Sequence, residues 1–169
     1  TRLVGVDGTN GTSKTAGLVA GRAEIEQLLA VMRKHFAGFA RARLKAVAPM
    51  LGIRETRRIQ GEYRLTVADL LAGKDFSDTI GFSAYGWDLP NPKRPSDNPG
   101  HGAKPELTPI PYRVLVPTQV DNLICPGRAI SVERPILGPL RVMAPCMAMG
   151  QAAGLAAAQV VQRDCAFAQ

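Results

Sequence analysis

The chain has 169 residues, a formal net charge of +7, 46% apolar residues and 5% aromatics. That length allows one well-buried core, or one core and part of a second, and the excess of cations favours anionic partners. Three cysteines without C-x-x-C spacing exclude a disulfide framework and a zinc site; sparse aromatics with no basic helix speak against nucleic acid.

Arg2 to Val6 reads as a short strand, entering the polar stretch from Asp7 to Thr15. Gly8-x4-Ser13-Lys14-Thr15 differs by one residue from the phosphate-cradling G-x4-G-K-[ST] loop. The difference falls at the second glycine, where a Cβ is normally excluded. A solvated loop is the plain reading, with a P-loop-like phosphate binder as the rival. From Ala16 to His35, Val19, Ile25, Leu28, Leu29, Met32 and Phe36 recur at helical spacing, which predicts a helix covering a sheet with one face. Glu24, Glu26, Arg33 and Lys34 form its solvated side, and His35 is a terminal charge.

Arg43 to Ala48 alternates as a strand does, and Leu51 to Leu65 follows with Arg54, Arg57 and Arg58 inside it. If that stretch is extended, Arg54, Thr56 and Arg58 share one face and Ile53, Glu55, Arg57 and Ile59 the other. Arginine on both faces has two readings, which stand equal here. One arginine reaches an anionic ligand such as a substrate carboxylate through its bidentate fork, with Arg54 preferred, or Arg and Glu form a lattice across strands. Thr66-Val-Ala-Asp69 is a capping-box start for a short helix ending before Gly73. A strand is expected around Ile80 to Tyr85. Leu89 to Pro109, with six prolines in 21 residues, is a surface loop or lid containing His101.

Ile110 to Pro117 predicts another strand, and Val120 to Gly127 a buried strand ending at a glycine. A helix then runs to Val161, with Pro145 in its first turn and Gly150, Ala153, Gly154, Ala157 and Ala158 as small residues at helical spacing. Such a stripe lets a backbone or a flat ligand come close. The uncharged run from Val142 to Val161 has the length of a membrane span. Its Ala, Gly, Gln and Pro content argues instead for a helix that does not insert.

Gly52-Ile-Arg-Glu-Thr-Arg-Arg-Ile59, Pro111-Tyr-Arg-Val-Leu-Val-Pro117, Asn122 to Ser131 and Arg141 to Gly154 together resemble the carboxyl-terminal portion of a family of FAD-dependent oxidoreductases. These are two-domain flavoproteins of the glutathione-reductase-like type, more distantly similar to succinate dehydrogenase and fumarate reductase flavoproteins. The resemblance implies an α/β chain: an α+β portion of the substrate or insert domain over residues 1–115, with the Pro-rich loop 89–109, then residues 116–169 as the closing strand and helix of a Rossmann-like FAD-binding domain. It implies that Gly127, Arg128, Arg141, Ala144, Pro145, Cys146 and Met147 hold the cofactor, and that Arg54 and Arg134 stabilise an anionic substrate or the reduced flavin.

The chain departs from the family pattern at two places. The G-x-G-x-x-G turn that holds the FAD pyrophosphate is absent, since Gly5, Gly8 and Gly11 have the wrong spacing. After Ser131 the family commonly has Ala-Thr-His-Glu, while this chain has Val132-Glu133-Arg134-Pro135. Arg134 is a fixed cation and does not exchange protons near neutral pH. With Thr1 in place of an initiator methionine, we expect a fragment, inactive alone, whose partner is an amino-terminal FAD-binding half. We also expect a small anionic substrate, a cytoplasmic location and self-association through the exposed helix face. A non-catalytic interaction module is the alternative.

Overall fold

The computed structural model describes residues 3–88 and 107–168, and the chain divides into two compact units, Thr1–Thr56 and Arg57–Gln169. The loop expected over 89–109, with His101, lies outside the described residues except at its end.

In the first unit one long helix, α1 (Gly11–His35), is started by its own loop. Asn10 is the N-cap, its Oδ1 accepting the Ser13 N–H at 3.0 Å, and Ser13 Oγ accepts the Asp7 N–H at 2.9 Å. These bonds take up donors that a phosphate would need, so Gly8 to Thr15 is a self-capped helix start and not a phosphate cradle. Among the described residues of its unit the helix covers no sheet: the expected strands at 2–6 and 43–48 are irregular where they are described. Gly17 and Gly21 are its buried positions. A Cβ on Gly17 would come within 2.8 Å of the Val6 side chain, and one on Gly21 within 3.1 Å of Leu3. Between Leu51 and Thr56 half-buried residues (Leu51, Ile53, Glu55) alternate with exposed ones (Gly52, Arg54, Thr56), as an extended chain requires. The alternation slips at Arg57, which is exposed, and Arg58, which is half-buried.

The second unit has a core of Leu65, Leu70, Phe76, Trp87, Ile110, Val114, Leu115, Ile130, Val132, Ile136, Leu137, Leu140 and Met149. Helices and strands ahead of its last helix are α2 (Val67–Leu71), β1 (Thr79–Ser83), β2 (Thr108–Pro111) and α3 (Leu137–Leu140). The strands pair antiparallel. β2 overlaps the strand expected over 110–117 only at Ile110 and Pro111. The Tyr112 N–H goes back to the Asp78 carbonyl at 2.8 Å, and the chain turns into a 3₁₀ turn at Tyr112–Val114. Residues 120–127 form no strand; Asn122 and Gly127 have φ of +54° and +97°. The segment makes a backbone bond from Cys125 N–H to Leu115 O at 2.8 Å. The architecture is mixed α/β.

Three irregular segments, 59–65, 114–118 and 129–133, are tied by backbone bonds that include Ile59 N–H to Ala129 O, Ser131 N–H to Val114 O, Leu65 N–H to Ser131 O and Thr118 N–H to Gln60 O. α2 begins as the sequence predicts, with Thr66 and Asp69 exchanging capping-box bonds. Burial opposes ionisation of Asp69, but bonds from the Thr66 hydroxyl and N–H, from Tyr63 and from Lys74 outweigh it and hold the carboxyl well below the usual range. Asp78 is lowered too: burial resists, and Arg113 wins through its side-chain and backbone donors. A carboxyl depressed on folding stabilises above its unfolded pKa of about 3.9 and loses that contribution as pH falls. The urea midpoint should therefore drop between about pH 5 and pH 3, and Asp69→Asn should flatten that dependence. An unchanged pH profile in the variant would remove Asp69 from this role.

Candidate functional site

The last helix, α4 (Met143–Arg163), is the longest element of the second unit. Its N-cap, Val142, offers no side-chain acceptor, and Pro145 has no N–H. Cys146 N–H bonds to Val142 O at 3.2 Å, so the unclaimed donors of the first turn are those of Met143 and Ala144, both exposed. A helix start of this kind carries about half a positive charge and favours an anion or a polarised carbonyl oxygen.

Arg141, two residues upstream, is the most unusual side chain in the unit. It is 4% exposed, and one Nη lies 3.2 Å from Asp88 Oδ1, whose side chain is 25% exposed. Its Nε, and the Nε1 of the buried Trp87 next to Asp88, find no acceptor among the described residues. Buried donors are nearly always satisfied, and an orphan beside a helix start is where a ligand oxygen or a water belongs. These donors fit an oxygen-rich anionic group.

Arg128 is exposed and close enough to act on Cys146. Burial pushes that thiol up and the Arg128 charge offsets part of the effect. Cys146 is therefore protonated at neutral pH and packs against the core, its Sγ 3.8 Å from Leu140 O. Gly127 adopts φ +97°, outside the range of ordinary side chains, and a Cβ there would meet nothing within 4 Å. Pro145 is buried and Met147 is 75% exposed. The structure thus gathers Arg128, Arg141, Ala144, Pro145, Cys146 and Met147 about one helix start. Arg134 begins a 3₁₀ turn at Arg134–Ile136, half-buried, following Val132. Arg54 belongs to the other unit. Asp88 and Trp87 were not legible as site residues, because no spacing relates them to Arg141 in sequence.

Beyond the first turn, α4 has two unlike sides. Pro145, Met149 and Ala153 are buried. Met143, Met147, Gly150, Gly154, Ala158 and Val161 follow one stripe at helical spacing and are all exposed. A Cβ on Gly150 or Gly154 would meet nothing within 4 Å, so the close approach that these residues permit is made by nothing among the described residues. By length and composition α4 is also apolar enough to cross a membrane, with 17% of its most apolar window buried.

No curated protein and no solved structure matches the sequence. A protein-family model described as FAD dependent oxidoreductase matches residues 2–169, almost the entire chain. The cofactor of that family is FAD. The chain belongs to the FAD dependent oxidoreductase family.

Proposed function

We propose that this chain is the carboxyl-terminal part of the flavoprotein, closing one side of the flavin site and shaping a pocket for an anionic substrate. The observation that carries this reading is the buried Arg141, its Nε unmatched among the described residues, beside the uncapped start of α4. In it, residues 1–115 contribute to a substrate domain and 116–169 complete a Rossmann-like FAD-binding domain, as in glutathione-reductase-like flavoproteins. The protein acts in the cytoplasm. When bound, FAD supplies two-electron redox chemistry. Arg141 and Arg128 neutralise its negative charge, the Met143 and Ala144 N–H groups give further donors, and Gly127 admits close approach of the cofactor. Pro145 and Cys146 fix the helix start, and Met147 shields the site from water. Arg54 and Arg134 act as fixed cations toward an anionic substrate or reduced flavin. Arg134 holds its proton at neutral pH, so it orients and stabilises rather than transferring protons.

The pyrophosphate turn comes from an amino-terminal half that also covers the exposed stripe of α4. That division of labour makes flavin retention the experiment. The intact protein should purify with FAD released on denaturation, and the 169-residue chain should purify colourless, inactive and self-associated through α4. Several missing charge-assisted bonds, each about 1.5–3 kcal/mol, suffice to abolish retention. A yellow chain with one flavin per molecule would refute the shared site, and an intact protein indifferent to FAD would refute the assignment of cofactor residues.

A further inference from the structure

The second unit also contains an open cleft of about 490 Å³ lined by Arg58, Ile59, Gln60, Gly61, Arg64, Thr118, Ser131 and Val132. None of the residues gathered at the start of α4 lines it, and its volume lies in the usual range of small-molecule sites, about 300–1,000 Å³. We propose that it binds a small oxyanion, a carboxylate or phosphate carried on a short apolar body.

The lining is cationic without any carboxylate: two arginines and no Asp or Glu. Arg64 is exposed and makes no hydrogen bond or ion pair among the described residues, leaving its fork available for bidentate recognition. Ser131 is 3% exposed, yet its hydroxyl has no partner among those residues. Its backbone is held at both ends, the N–H on Val114 O at 2.9 Å and the carbonyl on Leu65 N–H at 3.1 Å. Those bonds fix where the side chain starts, and its hydroxyl, on a residue that lines the cleft, is available to an occupant.

Gln60 is oriented by its neighbours in the same sense. Its Oε1 accepts from Gln119 Nε2 at 3.0 Å, and its backbone carbonyl takes the Thr118 N–H at 3.0 Å and hydroxyl at 3.3 Å. Those bonds leave the Gln60 Nε2 hydrogens for a ligand and spend the Thr118 hydroxyl on the wall. Gly61 sets the depth: a Cβ there would lie 2.8 Å from Ser131 Cβ and 3.1 Å from Arg113 O. Only a residue without a side chain lets the two walls approach so closely. Arg64, Gln60 and Ser131 thus bring donors to a cleft that Ile59 and Val132 line with apolar surface. A lone inorganic anion uses the donors; an organic acid uses the apolar surface as well.

The site does not depend on flavin, so its test is binding and not turnover. Amide chemical shifts of the 169-residue chain are followed during titration with sodium phosphate and, separately, with succinate, at ionic strength held constant with chloride. Saturable shifts at Gly61 and Arg64 are expected with at least one probe. Phosphate alone assigns a phosphate-bearing ligand, succinate alone a carboxylic acid. Arg64→Ala should weaken binding about ten- to hundredfold, Arg64→Lys less, and Ser131→Ala several-fold. Arg22→Ala, an exposed arginine of the other unit, should change nothing. No saturable shift with either probe would overturn the proposal. So would equal weakening by Arg22→Ala, which would reduce the effect to net charge.

Discussion

Asp88→Asn is expected to destabilise the second unit by about 3–5 kcal/mol, while Arg141→Met, at the other end of the same ion pair, should cost roughly 1–2 kcal/mol. The asymmetry arises from burial. Arg141 is 4% exposed, so removing the Asp88 charge leaves a guanidinium with an orphaned Nε and little access to water. Asp88 is 25% exposed and can recruit solvent when Arg141 is lost, while Met refills most of the volume. Urea denaturation of both variants gives the comparison. In the intact flavoprotein the ranking should reverse in one respect. Arg141→Met should fold and yet hold FAD about ten- to hundredfold more weakly, the loss of one charge-assisted bond of about 1.5–3 kcal/mol. Equal destabilisation by the two substitutions would mean that the guanidinium has found another acceptor and is not reserved for a ligand. Undiminished flavin affinity would move Arg141 to a purely structural role.

The features legible in the residues were those settled within one turn of chain. Thr66 and Asp69 announce α2 because both halves of a capping box lie three residues apart. Pro145 marks the first turn of α4 because its missing N–H is harmless there. Strands fared worse for a physical reason. Residues 43–48, 110–117 and 120–127 have strand-like apolar patterns, but a strand is defined by a partner, and pattern alone does not supply one. Val114, Leu115 and Val116 are buried as expected while contributing to no ladder. The helix α1 shows the converse: its apolar spacing is genuine, yet Val19, Leu28 and Val31 are exposed and the buried residues are Gly17 and Gly21. In that unit glycines accept side chains from irregular segments, a packing that hydrophobic periodicity does not see. The pairing of Arg141 with Asp88, 53 residues apart, was equally invisible because it depends on tertiary structure alone.

Leu65→Ala should cost about 2–5 kcal/mol, a large share of the roughly 5–15 kcal/mol that usually separates a domain from its unfolded state. Leu65 is fully buried where the segments 59–65, 114–118 and 129–133 meet. It pairs in parallel with Val132, its N–H bonds Ser131 O at 3.1 Å, and its carbonyl accepts the Glu133 N–H at 2.9 Å. Arg64 on one side lines the cleft, and Thr66 on the other caps α2. Glu133, held by Leu65, in turn accepts the Val67 N–H at 2.9 Å. Truncation removes core atoms and leaves a cavity that this tied-down backbone cannot close, so the effect belongs at the upper part of the range. Trp87, the single tryptophan, is 7% exposed in the same core, and its fluorescence during urea unfolding reports this unit alone. Leu44→Ala, at a site 47% exposed in the other unit, should leave that transition within about 0.5 kcal/mol of wild type. Anion binding adds a second reading: at urea concentrations where the Leu65→Ala unit is unfolded, phosphate and succinate shifts at Gly61 should vanish together with the tryptophan signal. A Leu65→Ala transition shifted by less than about 1 kcal/mol would show that the three segments are held by their hydrogen bonds and not by the side chain packed beneath them.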